Sequence, residues 1–302
     1  MFVEPSLKKA TVFLRANNSS GREEIGTGFL LVKSLGHDDE DNTSTSGRAP
    51  QYFAVYVVTT RHTITDYRDQ PIYLRLNTTD GGFEDVPTKS SDWYPHPKTD
   101  VAVLDLSSID RPAEIFDLSC LPFTMLATKE YLDENLIVEG QEIFMLGLFI
   151  SHPGKKQALP IVRFGNISLM DRESVAVFLS RKDREDRNES QIEAYLIEAR
   201  SMGGLSGAPV LFYNPPLGSQ VVNRKGSTAE ALMSRFQLPI LLGLVHGQYD
   251  EIFTGTAYLT NAGISIVVPA EKIRDVIMSK KLSGQRKGHL RNLQGKPPEV
   301  VG

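Results

Sequence analysis

The sequence predicts an all-β fold, built as a sandwich or a barrel, with one helix near the C terminus. Many short runs of β-branched and aromatic residues are bounded by Gly, Asp, Asn and Pro, which is typical of strands joined by turns. No long helical pattern separates these runs, so a parallel sheet with crossover helices is disfavoured. The strand-like runs are residues 11–14, 28–32, 52–58, 72–76, 101–106, 142–148, 161–167, 175–179, 194–197, 209–212, 240–245 and 264–268.

The clearest helix candidate spans residues 270–281. Pro269 precedes it, and Ile273, Val276 and Ile277 recur at helical spacing on one face. The pattern therefore predicts an amphipathic helix.

Four other segments lack strand signals. Residues 34–50, 181–191 and 214–237 are expected to be exposed loops, the last with a short helix candidate at 228–236. Residues 282–302 carry many Lys and Arg and few apolar side chains, so this basic tail is expected to be disordered.

Composition and charge are those of an ordinary soluble globular protein. The 302 residues are 40% hydrophobic and 23% charged, and the formal net charge is -4 at pH 7, which gives no strong signal for nucleic acid or for a membrane. Residues 1–9 have no long apolar run behind a basic lead, so no secretory signal is expected there, and no run approaches the roughly 18 apolar residues of a spanning helix. Cys120 is the only cysteine. Because an internal disulfide framework is excluded, we expect a reducing, cytoplasmic location.

Three short segments carry the residue types of a nucleophilic hydrolase, in the order His62, Asp100, Ser206. They read VVTTRHTI around the histidine, TDVAVL around the aspartate and GGLSGAPV around the serine. The order is informative because nucleophile, base and acid recur on unrelated folds in different chain orders. Each residue alone has an ordinary structural interpretation as a cap or turn residue. The joint, ordered occurrence is what indicates chemistry.

The residue types fit the chemistry of a serine nucleophile. A serine hydroxyl needs a base to accept its proton, and histidine suits this role because its pKa lies near neutrality. A carboxylate fixes the histidine tautomer and stabilises the imidazolium. Gly203 and Gly204 permit the backbone conformations that point N–H groups at an oxyanion. The sequence therefore predicts Ser206 as nucleophile, His62 as base and Asp100 as orienting acid.

These motifs resemble those of the trypsin-like serine peptidase family, and in particular its disulfide-free, bacterial-type members. Beyond the three catalytic segments, GTGF from Gly26 is similar to an early strand motif of the family. GLVHG from Gly243 and NAGISIVVP from Asn261 resemble the two late strands that form the walls of the substrate pocket. The resemblance extends in order over residues 11–277.

The resemblance implies the chymotrypsin-like fold, in which two six-stranded antiparallel β barrels pack face to face around a catalytic cleft. It divides the chain into an N-terminal barrel over residues 1–122, a linker over 123–139 and a C-terminal barrel over 140–269. A C-terminal helix over 270–281 and the basic tail over 282–302 would follow.

The resemblance also implies a serine endopeptidase that hydrolyses polypeptide substrates through an acyl-enzyme. No metal and no organic cofactor are expected, a regulatory protein is a candidate second partner, and the sequence does not indicate the oligomeric state. The backbone N–H groups of Gly204 and Ser206 would form the oxyanion hole. The residues expected to bind substrate are Arg200, His246, Gly247, Gly263 and Ser265.

Three of the neighbouring residues raise separate questions. Arg200 either forms the floor of the specificity pocket, favouring an acidic residue before the scissile bond, or turns to the surface to pair with a carboxylate. His246 either hydrogen-bonds Asp100 or is a tolerated substitution. Leu205 stands where zymogen-activated relatives carry an aspartate, so activation by a newly formed N terminus is not expected.

The sequence leaves a second class of function open. A catalytically idle member of the family would act as a binding module that takes up an extended peptide as an added strand along residues 240–247. An α/β hydrolase is disfavoured, because that fold needs an acid and a histidine after the serine and helices alternating with strands.

Overall fold

The computed structural model describes residues 3–19, 21–35, 52–106, 113–170, 174–213, 239–252 and 259–294. The helix candidate at 228–236 and most of the inserts at 34–50 and 214–237 lie outside the described residues.

The N-terminal half forms an eight-stranded sheet. The strands are β1 (Thr11–Asn18), β2 (Gly21–Leu35), β3 (Tyr52–Thr59), β4 (Ile72–Asn77), β5 (Phe83–Thr88), β6 (Trp93–Pro95), β7 (Ala102–Asp105) and β8 (Leu121–Pro122), with short helices α1 (Pro5–Lys8) and α2 (Arg61–Thr65). Seven of these strands lie in the order β5-β4-β1-β2-β3-β7-β6, and β8 pairs in parallel with β2.

The central strands β2 and β3 bury both of their faces. Leu30 and Val57 pack into the core of the sheet. Phe29, Tyr56 and Val58, at alternating positions, pack into a core shared with the second half of the chain. Because successive side chains of a strand point to opposite faces, a strand covered on both sides needs a continuous apolar sequence. This explains the apolar runs at these two places.

The C-terminal half forms a closed six-stranded barrel in the order β10-β13-β16-β15-β14-β9. A separate two-stranded antiparallel sheet of β11 and β12 lies beside it in the chain. The elements are α3 (Lys129–Glu134), β9 (Glu142–Gly147), β10 (Ile161–Leu169), β11 (Ser174–Val177), α4 (Arg181–Glu185), β12 (Ser190–Glu193), β13 (Tyr195–Glu198), β14 (Pro209–Phe212), β15 (Ile240–Ile252) and β16 (Leu259–Pro269).

The barrel has its own interior and also contributes to the shared core. Met145, Val210 and Val267 are fully buried in the barrel cluster. Their neighbours in the strands, including Phe144 and Leu244, join the cluster that contains side chains of β2 and β3. One apolar core therefore connects the two halves.

Two helices end the described chain, α5 (Ala270–Ile277) and α6 (Lys280–Gln294), and single 3-10 turns occur at Ser90–Asp92, Ala113–Ile115 and Phe123–Met125. Ile273 and Ile277 of α5 lie in the shared core, as the helical spacing predicted. No helix in the described part of the chain is long and apolar enough to cross a membrane.

The helix α6 corrects the expectation of a disordered tail from residue 282. Leu282 is fully buried, and the nearly buried Arg286 donates a hydrogen bond to Tyr56 Oη at 3.2 Å. Leu290 packs at the edge of the same core. These three residues recur every four positions, which places them on one face of a helix. Gln285 and Lys287 between them favour helix, whereas Gly284 and Gly288 do not, so the buried face stabilises the helix more than the intrinsic propensity does. The many charged residues of the segment made this pattern, with only one inward residue in four, difficult to recognise in the sequence.

A stability measurement tests whether α6 belongs to the folded unit. Leu282→Ala is expected to lower the free energy of unfolding by about 2–4 kcal/mol, because it removes a fully buried side chain from the core. Lys287→Ala, an exposed position of the same helix, serves as control. Denaturant titration measures both variants. Equal and negligible effects would mean that the tail is not packed on the protein.

The all-β fold class, the closed six-stranded barrel and the C-terminal helix are confirmed. The N-terminal half differs from the predicted six-stranded barrel, because its described residues form an eight-stranded sheet that is not closed. The additional strands have weak signals: β5 reads FEDVPT, with three polar residues and a proline, and β8 has only two residues. The insert at 181–191 contains α4 and the start of β12 instead of a loop.

Candidate active site

His62 and Asp100 lie at the same edge of the N-terminal sheet. His62 is in the first turn of α2, just after β3 ends at Thr59, and Asp100 lies just before β7 begins. β3 and β7 are antiparallel neighbours, with Thr59 opposite Ala102. Because the two strands run in opposite directions, a residue shortly after the end of β3 and a residue shortly before the start of β7 lie at the same end of the sheet.

The carboxylate of Asp100 is fully buried and accepts three hydrogen bonds. Oδ1 accepts the backbone N–H of His62 at 2.8 Å, and Oδ2 lies 2.7 Å from the Nδ1 atom of the same histidine. Oδ2 also lies 2.5 Å from Nδ1 of His246, which comes from β15. A carboxylate can only accept hydrogen bonds, so both Nδ1 atoms carry hydrogen.

His246 thus shares the carboxylate of Asp100 with His62. The two imidazole rings meet edge to face, with centroids 5.4 Å apart and planes at 82°. Of the two alternatives that the sequence left for His246, the structure has the hydrogen bond to Asp100. One carboxylate therefore joins a histidine of the N-terminal half to a histidine of the barrel.

Burial and nearby charges have opposite effects on the pKa of Asp100, and also on the pKa of His62. Burial alone would raise the pKa of Asp100, but the nearby His62 and His246 and their hydrogen bonds outweigh it, so the pKa of Asp100 lies well below its usual range. Burial alone would lower the pKa of His62, but the charge and the hydrogen bond of Asp100 outweigh it and raise this pKa. The carboxylate thus favours the imidazolium form of His62.

The two histidines and Asp100 also form a cluster of potential metal ligands. Ligand atoms around one tetrahedral zinc ion, each about 2.0–2.1 Å from the metal, lie roughly 3.3 Å apart. The N–O separations of 2.7 and 2.5 Å are shorter and are hydrogen-bond lengths. The spacing therefore fits a shared carboxylate better than a metal centre.

Ser206 lies in a tight loop of the C-terminal barrel between β13 and β14. The N–H of Leu205 donates to Met202 O at 3.1 Å, and the N–H of Ala208 donates to Leu205 O at 2.9 Å, which closes two successive turns. Gly204 has φ +96°, a left-handed conformation in which a side chain would be strained. Leu205 is fully buried in the barrel core.

Thr27 of β2 fixes the serine loop to the N-terminal half, a role that the sequence did not reveal. Its hydroxyl donates to Gly204 O at 2.6 Å and accepts the N–H of Leu148 at 2.9 Å. Its backbone N–H donates to Ser206 O at 2.9 Å. The only sequence signal was a threonine between Gly26 and Gly28, which was interpreted as a strand motif.

The backbone N–H groups of Gly204 and Ser206 have no hydrogen-bond acceptor among the described residues. Within the same residues, no hydrogen bond joins Ser206 Oγ to the ring of His62. Contacts between nucleophile and base are often long in unliganded sites and tighten when substrate binds. Among the described residues, the loop thus has two backbone N–H groups without an acceptor, next to a Ser206 hydroxyl that makes no hydrogen bond to His62.

One cleft of about 480 Å³ brings the candidate catalytic residues together. His62, Ser206, His246 and Gly247 all contribute to its lining. The remaining lining residues are Asp66, Phe178, Ser180, Arg181, Arg184, Ser201, Met202, Gly203 and Gln248.

Three of the residues predicted to bind substrate do not line this cleft. Arg200 is exposed on the surface, while the next residue, the buried Ser201, faces the cleft. Ser265 is buried and donates a hydrogen bond to Ala199 O at 2.6 Å, which ties β16 to the segment that leads to the cleft. Gly263 lies in β16 with φ +81° and is not part of the lining.

Searches of family models and of curated proteins give no match. Solved structures do match at low identity. An inactive form of a serine-to-alanine mutant of Rv3671c from M. tuberculosis H37Rv is 15% identical, with a TM-score of 0.41, over 92% of this chain and 89% of that protein. Deg5 is 17% identical, with a TM-score of 0.47, over 89% of this chain and 87% of its own.

A third match is the Drosophila Grass clip serine protease of the Toll pathway. It is 13% identical, with a TM-score of 0.49, over 92% of this chain and 70% of that protein. With identities of 13–17% and TM-scores below 0.5, these matches carry no argument about this chain, so the chemistry has to come from the residues of the cleft.

Proposed function

We propose that this protein is a serine endopeptidase that hydrolyses peptide bonds through an acyl-enzyme at Ser206. The observation that carries the proposal is the hydrogen bond from His62 Nδ1 to the buried carboxylate of Asp100, in a cleft that Ser206 also lines. A base oriented by a carboxylate beside a serine hydroxyl is the arrangement that nucleophilic catalysis requires.

The protonation of His62 gives the order of proton transfers. Since Nδ1 carries hydrogen toward Asp100, Nε2 of the neutral ring is free to accept a proton. Ser206 Oγ attacks the carbonyl carbon of the scissile bond while its proton passes to Nε2. The imidazolium then donates this proton to the leaving amine, and water repeats the sequence to release the acyl group.

The oxyanion is proposed to bind the N–H groups of Gly204 and Ser206. Neither group has an acceptor among the described residues, as expected of donors kept for substrate. The hydroxyl of Thr27 holds the carbonyl of Gly204, which restrains the peptide unit that follows it. Thr27 is thus proposed to hold the loop in the conformation that catalysis needs.

The pH dependence of the proposed reaction follows from the raised pKa of His62. The ring must be neutral to accept the serine proton, so kcat/KM falls as pH drops through this pKa. The acid limb is expected above pH 6.5, the usual pKa of histidine. In Asp100→Asn the limb is expected to move to lower pH, because the anion that favours imidazolium is gone. A wild-type limb below 6.5 would contradict this assignment.

The competing proposal is a catalytically idle module that binds extended peptides. It is favoured by one observation, the lack of a hydrogen bond between Ser206 Oγ and His62 among the described residues. A fluorophosphonate probe separates the two. We expect the intact chain to be labelled, and Ser206→Ala to lose the label. An intact chain that stays unlabelled but binds peptides would support the module and overturn the peptidase.

A further inference from the structure

The segment around α4 forms one wall of the cleft, next to His62. Phe178, Ser180, Arg181 and Arg184 all line the cleft. Ser180 caps the helix: its Oγ accepts the N–H of Asp183 at 3.0 Å and donates to the carboxylate of the same residue at 2.7 Å. The segment is therefore a structured wall instead of the exposed loop that the sequence predicted.

Arg181 fixes this wall to the helix that carries His62. Its backbone N–H donates to Asp66 Oδ1 at 2.7 Å, and its guanidinium donates to Tyr67 Oη at 2.6 Å. Asp66 is the C-cap residue that directly follows α2. The wall thus has a defined position relative to His62, although it belongs to the other half of the chain.

The charges in the cleft do not balance. Apart from the histidines, the ionisable residues of the lining are Asp66, Arg181 and Arg184. Asp66 is largely buried and lies 3.7 Å from the guanidinium of Arg181, so these two charges offset each other. Arg184 has no ion pair within the described part of the chain. One unpaired guanidinium therefore remains in the cleft.

Two observations place the charge of Arg184 where a substrate would lie. Its guanidinium lies 5.6 Å from the centre of the Phe178 ring, which also lines the cleft. Its field reaches the catalytic base, because Arg184 is among the charges that lower the pKa of His62. A peptide bound across His62 and Ser206 would pass close to this cation.

We propose that Arg184 binds a carboxylate side chain of the substrate and gives the enzyme a preference for Glu or Asp near the scissile bond. The proposal rests on the peptidase function proposed above. A guanidinium presents paired N–H donors that match a carboxylate and can form two parallel hydrogen bonds with it. The cleft contains no other unpaired cation among its described lining residues, so Arg184, rather than Arg200, which does not line the cleft, selects for acidic residues.

The expected preference is moderate because Arg184 is exposed to solvent. Ion pairs at exposed sites change an equilibrium by about two- to fivefold. Such a pair is also weakened by salt, since the Debye length falls from about 10 Å at 0.1 M to 3 Å at 1 M.

The test uses a parent peptide chosen from a library cleaved by the intact enzyme. Glu and, separately, Gln are placed at each position around the scissile bond, and the ratio of the two kcat/KM values is measured. At one position the ratio is expected to be about two to five, to approach one in 1 M salt, and to approach one in Arg184→Gln. Lys182→Gln, which makes the same charge change on the same helix outside the cleft lining, should keep the wild-type ratio.

Arg200→Gln provides the second comparison. If the ratio falls in Arg200→Gln and not in Arg184→Gln, or if it falls equally in Arg184→Gln and Lys182→Gln, the assignment to Arg184 is overturned. A ratio near one at every position in the intact enzyme overturns it as well. Failure of fluorophosphonate labelling in the intact chain would instead count against the peptidase, so the two proposals fail by different measurements.

Discussion

His62→Ala is expected to lower kcat for peptide hydrolysis by about a millionfold, the loss seen when the base of a serine peptidase is removed. His246→Ala is expected to lower it only about tenfold. Both rings donate to the same Asp100 oxygen, at 2.7 and 2.5 Å, but the two histidines differ in how their backbones are held. Only His62 also donates its backbone N–H to Asp100, which fixes its helix to the carboxylate.

The smaller loss in His246→Ala has a separate physical cause. A hydrogen bond to a charged group contributes about 1.5–3 kcal/mol, so losing the one from His246 leaves the buried carboxylate less well stabilised. Steady-state kinetics on one peptide, with thermal unfolding to show that both variants are folded, measures the two effects. Equal losses would contradict the assignment of His62 as the sole base, and a larger loss in His246→Ala would reassign the base to His246.

Asp100→Asn is expected to lower kcat by about 10⁴, the known effect of this change in such a triad. The carboxylate accepts from His62 N–H through Oδ1 and from two imidazoles through Oδ2. An asparagine must place its NH₂ group at one of these two oxygen positions. It then faces either the N–H of His62 or both Nδ1 atoms, and in the second case it favours the wrong tautomer of His62.

The comparison for this prediction is Asp66→Asn at the C-cap of the same helix, whose carboxylate contacts Arg181 and makes no hydrogen bond to the ring of His62. It is expected to change kcat by less than a factor of about ten, since it weakens the contact with Arg181 and removes one of the smaller charge effects that raise the pKa of His62. Peptide hydrolysis rates measure both variants. If the two substitutions caused similar losses, Asp100 would have no special role in orienting the base.

Sequence motifs predicted the local structure around each proposed catalytic residue, because that structure depends on the residues immediately next to it. His62 follows a strand, Asp100 precedes one, and Ser206 lies in a glycine-rich turn. The meeting of His62 with Asp100 depends on the pairing of β3 with β7, which the strand sequences suggested only through the family resemblance. The sharing of Asp100 with His246 was one of two alternatives at the sequence level.

Other features could not be read from local patterns. Thr27 acts through contacts with Gly204 and Ser206, about 180 residues later in the chain, and nothing in its neighbourhood signals this. Arg184 belongs to a charged insert that looked like a loop. Arg200 is a different case, because burial alternates through the segment YLIEARS and puts this residue on the outside. The period-two pattern was present in the sequence and could have placed it.

In the proposed reaction, Ser206 forms an acyl intermediate with the help of His62. The most direct measurement is mass spectrometry of the protein mixed with p-nitrophenyl acetate and quenched in acid, followed by digestion and peptide mapping. We expect one acetyl group on the peptide that contains Ser206, and none on this peptide in His62→Ala or Ser206→Ala. Two results would contradict the proposed mechanism: an acetyl group located only on other residues, or one that forms on Ser206 as fast in His62→Ala as in the intact protein.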